Sequence, residues 1–205
     1  SIGARLTQVL NVDSGIIGFH LVADPAINGF AGPGGQIVLF TGLITTAETE
    51  AEFAAVVAHE LAHVTQRHLQ RMIERARKRQ IPATAGLIAG ILLGGHAGAA
   101  TMAATNAAAL SDHLSYTRTF EREADAVGLR ILSTAGYDPK AMGQFIQRLA
   151  QDTRFQVNET PEYFRTHPLS LNRIAEIESR TEGHSQEATS QTQEYLLLRV
   201  SALAR

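Results

Sequence analysis

Short apolar runs separated by turn signals fill the first forty residues of the chain. Gly18–Val22 and Gln36–Phe40 carry the aromatic, aliphatic and β-branched residues that strands favour, and residues 28–31 form a third run. The Gly32-Pro33-Gly34-Gly35 segment between the last two runs is a strong turn signal. The pattern predicts that residues 1–40 form strands, joined into a small N-terminal β-sheet.

The spacing of apolar residues changes from strand-like to helical after Thr41-Gly42. Thr46 or Thr49 can cap a helix there, and the acidic residues that follow favour its first turns, because carboxylates stabilise a helix N-terminus. We expect this helix to run from about residue 50 to about residue 79.

Two more long helical patterns follow in the second half of the chain. Residues 119–132 have helical spacing and end at Gly136, and the Asp138-Pro139 pair opens a helix that we expect to reach about residue 152. Residues 184–190 are polar and linker-like, and residues 195–200 are expected to form a closing helix.

These elements together predict an α+β fold that is mostly helical, with a small N-terminal β-sheet flanking the helix of residues 50–79. The domain prediction places one domain over residues 1–182 and a polar linker with a C-terminal helix over residues 183–205.

The middle of the chain has an unusual charge pattern. A basic stretch ends near Arg79, and residues 80–111 contain no Asp, Glu, Lys or Arg. Glycines recur every fourth position from Gly86 to Gly98, which lets two helices approach closely. Two interpretations stay open. One is an Ala/Gly-rich hairpin packed on the protein, and the other is peripheral membrane contact through residues 80–111 with basic flanks.

Composition limits the class of partner and the chemistry. The chain has 205 residues, 44% of them hydrophobic, and its net charge is −2, so we expect no nucleic-acid partner. It has no cysteine, so a metal site must use histidine and carboxylate. No signal peptide is visible and the chain begins abruptly at Ser1, so we expect an excerpt or a mature form.

A His-Glu-Leu-Ala-His segment at residues 59–63 carries the strongest chemical signal. On a helix His59 and His63 lie within about 40° of each other, so both can bind one zinc ion at about 2.0–2.1 Å. Glu60 lies beside the metal position, where it can take a proton from zinc-bound water. The alternative is a helix without this function, but burying the triplet without a metal would be costly.

Carboxylates further along the chain can complete the site. Glu121 and Asp125 are four residues apart and share one helix face. Glu121 can act as a third zinc ligand, and Asp125 can accept the spare N–H of a ligand histidine. A solvated acidic turn is the alternative. Glu123 competes as a ligand but points about 160° away from Asp125.

Three other residues are candidates for a role in the site. His68 lies at the wrong offset for a third histidine ligand and is interpreted as a structural histidine on the same helix. Pro168 keeps His167 outside a helix, and Ser170 can cap the helix that carries Arg173. His167 and Arg173 could together stabilise the oxyanion of a tetrahedral intermediate, or they could belong to a charged surface loop.

Several short elements, in this order along the chain, have the pattern of one known enzyme family. They are residues 28–35, Thr41-Gly42-Leu43, residues 59–64 with Arg67-His68, Glu121-Arg122-Glu123-Ala124-Asp125 (ExxxD), and His167-Pro168 with Arg173 (HPxxxxR). With them, most of residues 1–180 resembles the CAAX prenyl protease and HtpX-like family of zinc metallopeptidases (gluzincins), in particular its bacterial envelope branch.

The resemblance implies a zincin-like fold and a role for each motif residue. Members of the envelope branch often add a tetratricopeptide-repeat domain, which is not visible here. The implied roles are zinc ligands for His59, His63 and Glu121, general base for Glu60, a contact that orients a ligand for Asp125, and positions near the reacting carbonyl for His167 and Arg173.

The sequence therefore predicts a zinc-dependent metalloendopeptidase with one Zn²⁺ per chain. Its expected place is the periplasm of the bacterial cell envelope, where it would act in protein quality control on protein or peptide substrates such as misfolded envelope proteins. Membrane association stays one of the two open interpretations of residues 80–111. The Ile37–Phe40 run is expected to offer an edge for an extended substrate. The alternatives are a chaperone-like binding module with little turnover and an exopeptidase.

Overall fold

The computed structural model describes residues 1–10, 16–155, 162–169, 171–184 and 191–204. These residues form a mostly helical α+β fold with one small sheet. In chain order the elements are α1 (Ile2–Gln8), β1 (Gly18–Val22), β2 (Gly29–Ala31), β3 (Gln36–Phe40), α2 (Thr41–Thr46), α3 (Glu50–Thr65), α4 (His68–Leu93), α5 (Gly95–Thr134), α6 (Lys140–Phe155), α7 (Glu162–Thr166), α8 (Leu171–Thr181) and α9 (Gln193–Leu203).

The sheet confirms the three predicted strands but not their expected roles. The strand order is β1-β3-β2, with β1 parallel and β2 antiparallel to β3. The prediction that Ile37–Phe40 offers a substrate edge is therefore wrong, because β3 is paired on both sides. The predicted turn is confirmed, and Gly34 and Gly35 adopt φ of 70° and 76°, which favours glycine.

Two predictions of secondary structure need correction. Residues 1–40 are not all strand-like, because α1 begins the chain and Ser1 caps it. The helix predicted for residues 50–79 is two helices: α3 ends at Thr65, and Arg67 adopts φ 54° and ψ 39° before α4 begins. A left-handed residue cannot continue a right-handed helix. His68 therefore starts α4 instead of continuing α3.

The predicted helix starts are confirmed where the structure describes them. Thr49 accepts a hydrogen bond from the Glu52 amide at 3.1 Å, and Asp138 accepts one from the Lys140 amide at 2.9 Å. The predicted cap at Ser170 lies outside the described residues, as does most of the linker-like segment 184–190. The boundary at residue 183 stays a prediction.

The chain divides into two units. Unit 1 comprises residues 1–66 and 121–205, and unit 2 comprises residues 67–120. In unit 1 the core surrounds α3, where Ala54, Ala58 and Leu61 are fully buried. Unit 2 is the hairpin of α4 and the first part of α5. Among the described residues no helix is long and apolar enough to cross a membrane.

Candidate metal centre

Helix α3 presents His59, Glu60 and His63 in the interior of unit 1. His59 and Glu60 are buried, and the Nε2 atoms of His59 and His63 lie 3.0 Å apart. Gly128 lets α5 approach α3 closely beside His59, because a Cβ at Gly128 would lie only 3.3 Å from the His59 amide nitrogen. No local pattern in the chain predicts this close contact between the two helices.

Glu121 of α5 meets both histidines. Its Oε2 lies 3.3 Å from His59 Nε2, and its Oε1 lies 3.3 Å from His63 Nε2. His167, from the loop between α7 and α8, joins them: its Nδ1 lies 3.2 Å from His59 Nε2 and 3.2 Å from either Glu121 oxygen. One donor atom from each of the four residues lies within 4.8 Å of the others.

These spacings fit a tetrahedral zinc ion. Four donors at about 2.0–2.1 Å from a common centre are about 3.3 Å from one another in a tetrahedron. The donor separations given above, between 3.0 and 3.3 Å, are close to that value, with Glu121 presenting Oε2 to His59 and Oε1 to His63. Imidazole and carboxylate are also the ligand types that zinc accepts without thiolate.

Asp125 and Arg173 form a second layer behind the donors. Asp125 Oδ1 lies 3.0 Å from His59 Nδ1, the ring nitrogen that faces away from the donor cluster. Arg173 donates two hydrogen bonds to Asp125, Nε to Oδ2 at 2.6 Å and Nη2 to Oδ1 at 2.8 Å. Its Nη1 also lies 2.9 Å from Glu121 Oε2. The arginine therefore holds two carboxylates in place by a bidentate pair and a further ion pair.

The buried charges around the cluster are unbalanced. Glu60, Glu121 and Asp125 are buried acidic residues, and Arg173 is the buried basic residue beside them. With the carboxylates ionised and the imidazoles neutral, three negative charges against one positive leave a formal charge of −2. A divalent cation neutralises that charge, and buried ions are stable only when they are paired.

The pKa values reflect the same demand for positive charge. Burial alone lowers the pKa of His59, but the contacts with Asp125 and Glu121 outweigh it and raise the pKa to about 9. Burial also opposes ionisation of Glu121, yet His167, His59 and His63 hold its pKa well below the usual range. Burial lowers the pKa of His63, which favours the neutral imidazole, the form that binds a metal ion.

Tyr163 is a site residue that sequence reasoning missed. Its ring lies 4.7 Å from the His167 ring, and its backbone amide donates to Ile27 O at 3.1 Å, which ties α7 to the segment before β2. Tyr163 and His167 are four positions apart, and this i, i+4 spacing was the signal in the sequence that could have identified Tyr163.

Two weighed residues lie outside the donor group. Within unit 2, the His68 ring stacks on Phe120 with centroids 4.3 Å apart. Glu123 is half-buried on α5 and does not belong to the four-residue cluster that the described residues form. The structure therefore agrees with the helical spacing, which sets Glu121 on the same helix face as Asp125 and turns Glu123 away from that face.

Comparison with known proteins adds independent information. The chain is 37% identical over 90 residues to a beta-barrel assembly-enhancing protease of Yersinia pestis, a match covering 44% of this chain and 18% of that protein. It is 38% identical over 97 residues to a putative beta-barrel assembly-enhancing protease of Vibrio cholerae, covering 47% and 20% respectively. The protease of that name in Escherichia coli K12 is 34% identical over 90 residues, 44% of this chain and 18% of its own.

These alignments span no more than a fifth of the relatives' length, so they bear on one part of those proteins. The match to a family model is broader. The model described as Peptidase family M48 matches residues 2–181, which include all the site residues described above. The chain therefore belongs to peptidase family M48, a family of metallopeptidases.

Proposed function

We propose that this chain is a zinc-dependent metalloendopeptidase of the gluzincin type, with a zincin-like arrangement around α3. The observation that carries the proposal is the buried donor set of His59, His63 and Glu121, with separations that suit one zinc ion. Bound there, zinc would polarise the scissile carbonyl and lower the pKa of a coordinated water toward about 7.

Glu60 is the general base in this proposal. Its side chain is fully buried, and among the described residues neither carboxylate oxygen has a hydrogen-bond partner. Oε1 does lie 3.3 Å from His167 Nε2. A carboxylate in this position can accept a proton from the attacking water and pass it to the leaving amine.

An extended substrate would add to the outer edge of β2. Asn28 O and Gly32 N are both bonded to β3, so the strand alternation turns the backbone groups of Gly29 and Ala31 to the other edge. The Gly29 amide donates to Asn28 Oδ1 at 2.9 Å there, and substrate pairing would have to replace that bond. Gly29 O also lies 3.4 Å from His167 Nε2, which places this edge beside the donor cluster. Main-chain pairing there would bind many sequences with little side-chain selection.

The cellular role is proposed from the relatives. Two of them are named beta-barrel assembly-enhancing protease and a third is named a putative one, which favours envelope protein quality control in the periplasm and misfolded envelope proteins as substrates. Those relatives are more than twice as long as this chain, so a tetratricopeptide-repeat domain outside residues 1–205 is part of the same proposal.

A quenched peptide with both ends chemically blocked tests the reaction class. An endopeptidase cleaves it internally, whereas an exopeptidase has no free end to bind and a chaperone-like module binds without cleaving. We expect internal cleavage by the purified chain that a zinc chelator stops. Binding without cleavage would favour the chaperone-like alternative.

Asp125→Asn should weaken zinc binding by roughly 10–100-fold, because the Asp125 contact fixes the His59 ring and the amide loses the negative charge. Competition with a zinc-binding dye measures the affinity. Asp138→Asn makes the same chemical change at the start of α6 and should leave zinc affinity unchanged. Equal affinities for both variants would mean that Asp125 does not orient the ligand.

His167 is proposed to act as a latch. Its Nδ1 is placed like a fourth donor, while catalytic zinc sites usually leave that position for water or substrate. A latch must leave before substrate binds, so His167→Ala is expected to raise basal proteolysis or self-cleavage. The rate on the blocked peptide measures this.

The competing role for His167 is hydrogen bonding to the oxyanion. In that case His167→Ala lowers turnover by roughly 10²–10³-fold instead of raising it. A fall of this size, with zinc content unchanged, would contradict the latch.

A further inference from the structure

The end of the α4–α5 hairpin in unit 2 exposes large apolar side chains. Ile88, Ile91 and Leu92 are 53%, 70% and 81% exposed. They lie at positions i, i+3 and i+4, so they share one face of α4. Leu87 and Leu93 flank them and are also exposed. Side chains of this size are seldom left together in water without a partner surface.

Packing within the hairpin does not use this face. A Cβ at Gly98 would lie 2.2 Å from Gly90 O, and a Cβ at Gly86 would lie 2.5 Å from Thr105 Oγ1. The small residues therefore form the contact between α4 and α5. A hairpin packed through its glycines accounts for the four-residue glycine spacing but not for the exposed isoleucines and leucines of α4.

The charge pattern of α4 suits an anionic surface. Residues 67–79 hold six basic residues and one acidic residue, and residues 80–111 hold none of either kind. Arg77 and Lys78 are exposed. At 1.5 Å per residue, Lys78 lies about 20 Å along the helix from Ile91, so both groups can meet one flat surface.

We propose that the apolar face of α4 docks on the surface of an anionic lipid bilayer. Ile88, Ile91 and Leu92 enter the boundary between headgroups and acyl chains, and Arg77 and Lys78 contact the anionic headgroups. A second copy of the chain would bring the same positive charge to this face, whereas anionic headgroups neutralise it. This inference does not depend on peptidase activity.

A tryptophan probe tests where the face goes. The chain contains no tryptophan, so Leu92→Trp supplies a single fluorophore on the face. Vesicles of mixed phosphatidylcholine and phosphatidylglycerol should shift its emission to the blue and protect it from aqueous quenchers. Lys140→Trp is the control, since Lys140 is a polar residue exposed on α6 in unit 1 and should show no shift. An unchanged Leu92→Trp spectrum, or equal shifts in both variants, would overturn the proposal.

Vesicle flotation tests the energetics with the native side chains. The triple variant Ile88→Ser, Ile91→Ser, Leu92→Ser should lose at least about 100-fold in its partition coefficient onto vesicles, because full burial of each such side chain contributes about tenfold or more. Arg77→Gln with Lys78→Gln should weaken binding to anionic vesicles and reduce its sensitivity to salt. Leu197→Ser, on the exposed apolar face of α9, should float like the parent, and a loss there as large as in the triple variant would overturn the assignment to α4.

Two other outcomes would overturn the proposal. One is a parent protein that stays with the soluble fraction at low salt on anionic vesicles. The other is a concentration-dependent dimer in solution that the triple serine variant abolishes, which would show that a second copy covers the face. Circular dichroism of each variant checks that the helices are retained.

Discussion

Glu60→Gln is expected to abolish peptide hydrolysis while leaving zinc content and fold unchanged. The amide has the same shape as the carboxylate but cannot accept the proton of the attacking water. General-base catalysis by one residue typically contributes about 10²–10⁴-fold, and we expect the loss to lie at the upper end, because the proposed mechanism assigns this proton transfer to Glu60 alone. The measurement is kcat/KM on the blocked peptide, with zinc quantified in the same sample by elemental analysis.

Glu74→Gln is a suitable control for this variant. It makes the same change on exposed α4, where Glu74 accepts a hydrogen bond from Gln70. It should cleave at the parent rate. Hydrolysis by Glu60→Gln at the parent rate would show that another group activates the water and would remove Glu60 from the mechanism.

Glu121→Ala should cost more than about 100-fold in zinc affinity, since even residues that only orient a ligand contribute roughly 10–100-fold. The variant removes a donor that lies 3.3 Å from both His59 and His63. It also leaves buried Arg173 with one carboxylate instead of two, so its thermal stability should fall as well. Zinc retention after dialysis against a weak chelator measures the first effect, and thermal unfolding measures the second.

The matched control for this experiment is two residues away on the same helix. Glu123→Ala removes a half-buried carboxylate outside the donor cluster and should retain zinc like the parent. Full zinc retention by Glu121→Ala together with loss in Glu123→Ala would transfer the ligand role to Glu123.

Local pattern predicted the strands but not how they pair. The strands Gly18–Val22 and Gln36–Phe40 could be predicted because a strand-like run and the turn residues that bound it lie within a few positions of the chain. The order of strands in the sheet depends on contacts between distant segments, and β1 pairs with β3 although β2 lies between them in the sequence. The central position of β3 was therefore missed, as was the break at Arg67, where neither glycine nor proline marks the left-handed residue.

The same division applies to the site. His59, Glu60 and His63 were predictable because the phasing of one helix brings them together. Arg173 was expected near the reacting carbonyl, and the structure brings it against Asp125, 48 residues earlier in the chain. No local pattern encodes such a contact. It depends on where the fold places α8 relative to α5, so it becomes visible only in three dimensions.

A zinc titration of the chelator-treated protein tests the central claim most directly. Metal-free protein should not cleave the blocked peptide, and cleavage should return in proportion to added zinc up to one equivalent per chain. Glu60→Gln should bind the same equivalent without recovering activity. Cleavage by the metal-free protein at the parent rate, or no cleavage at any zinc concentration, would contradict the assignment of this chain as a zinc metalloendopeptidase.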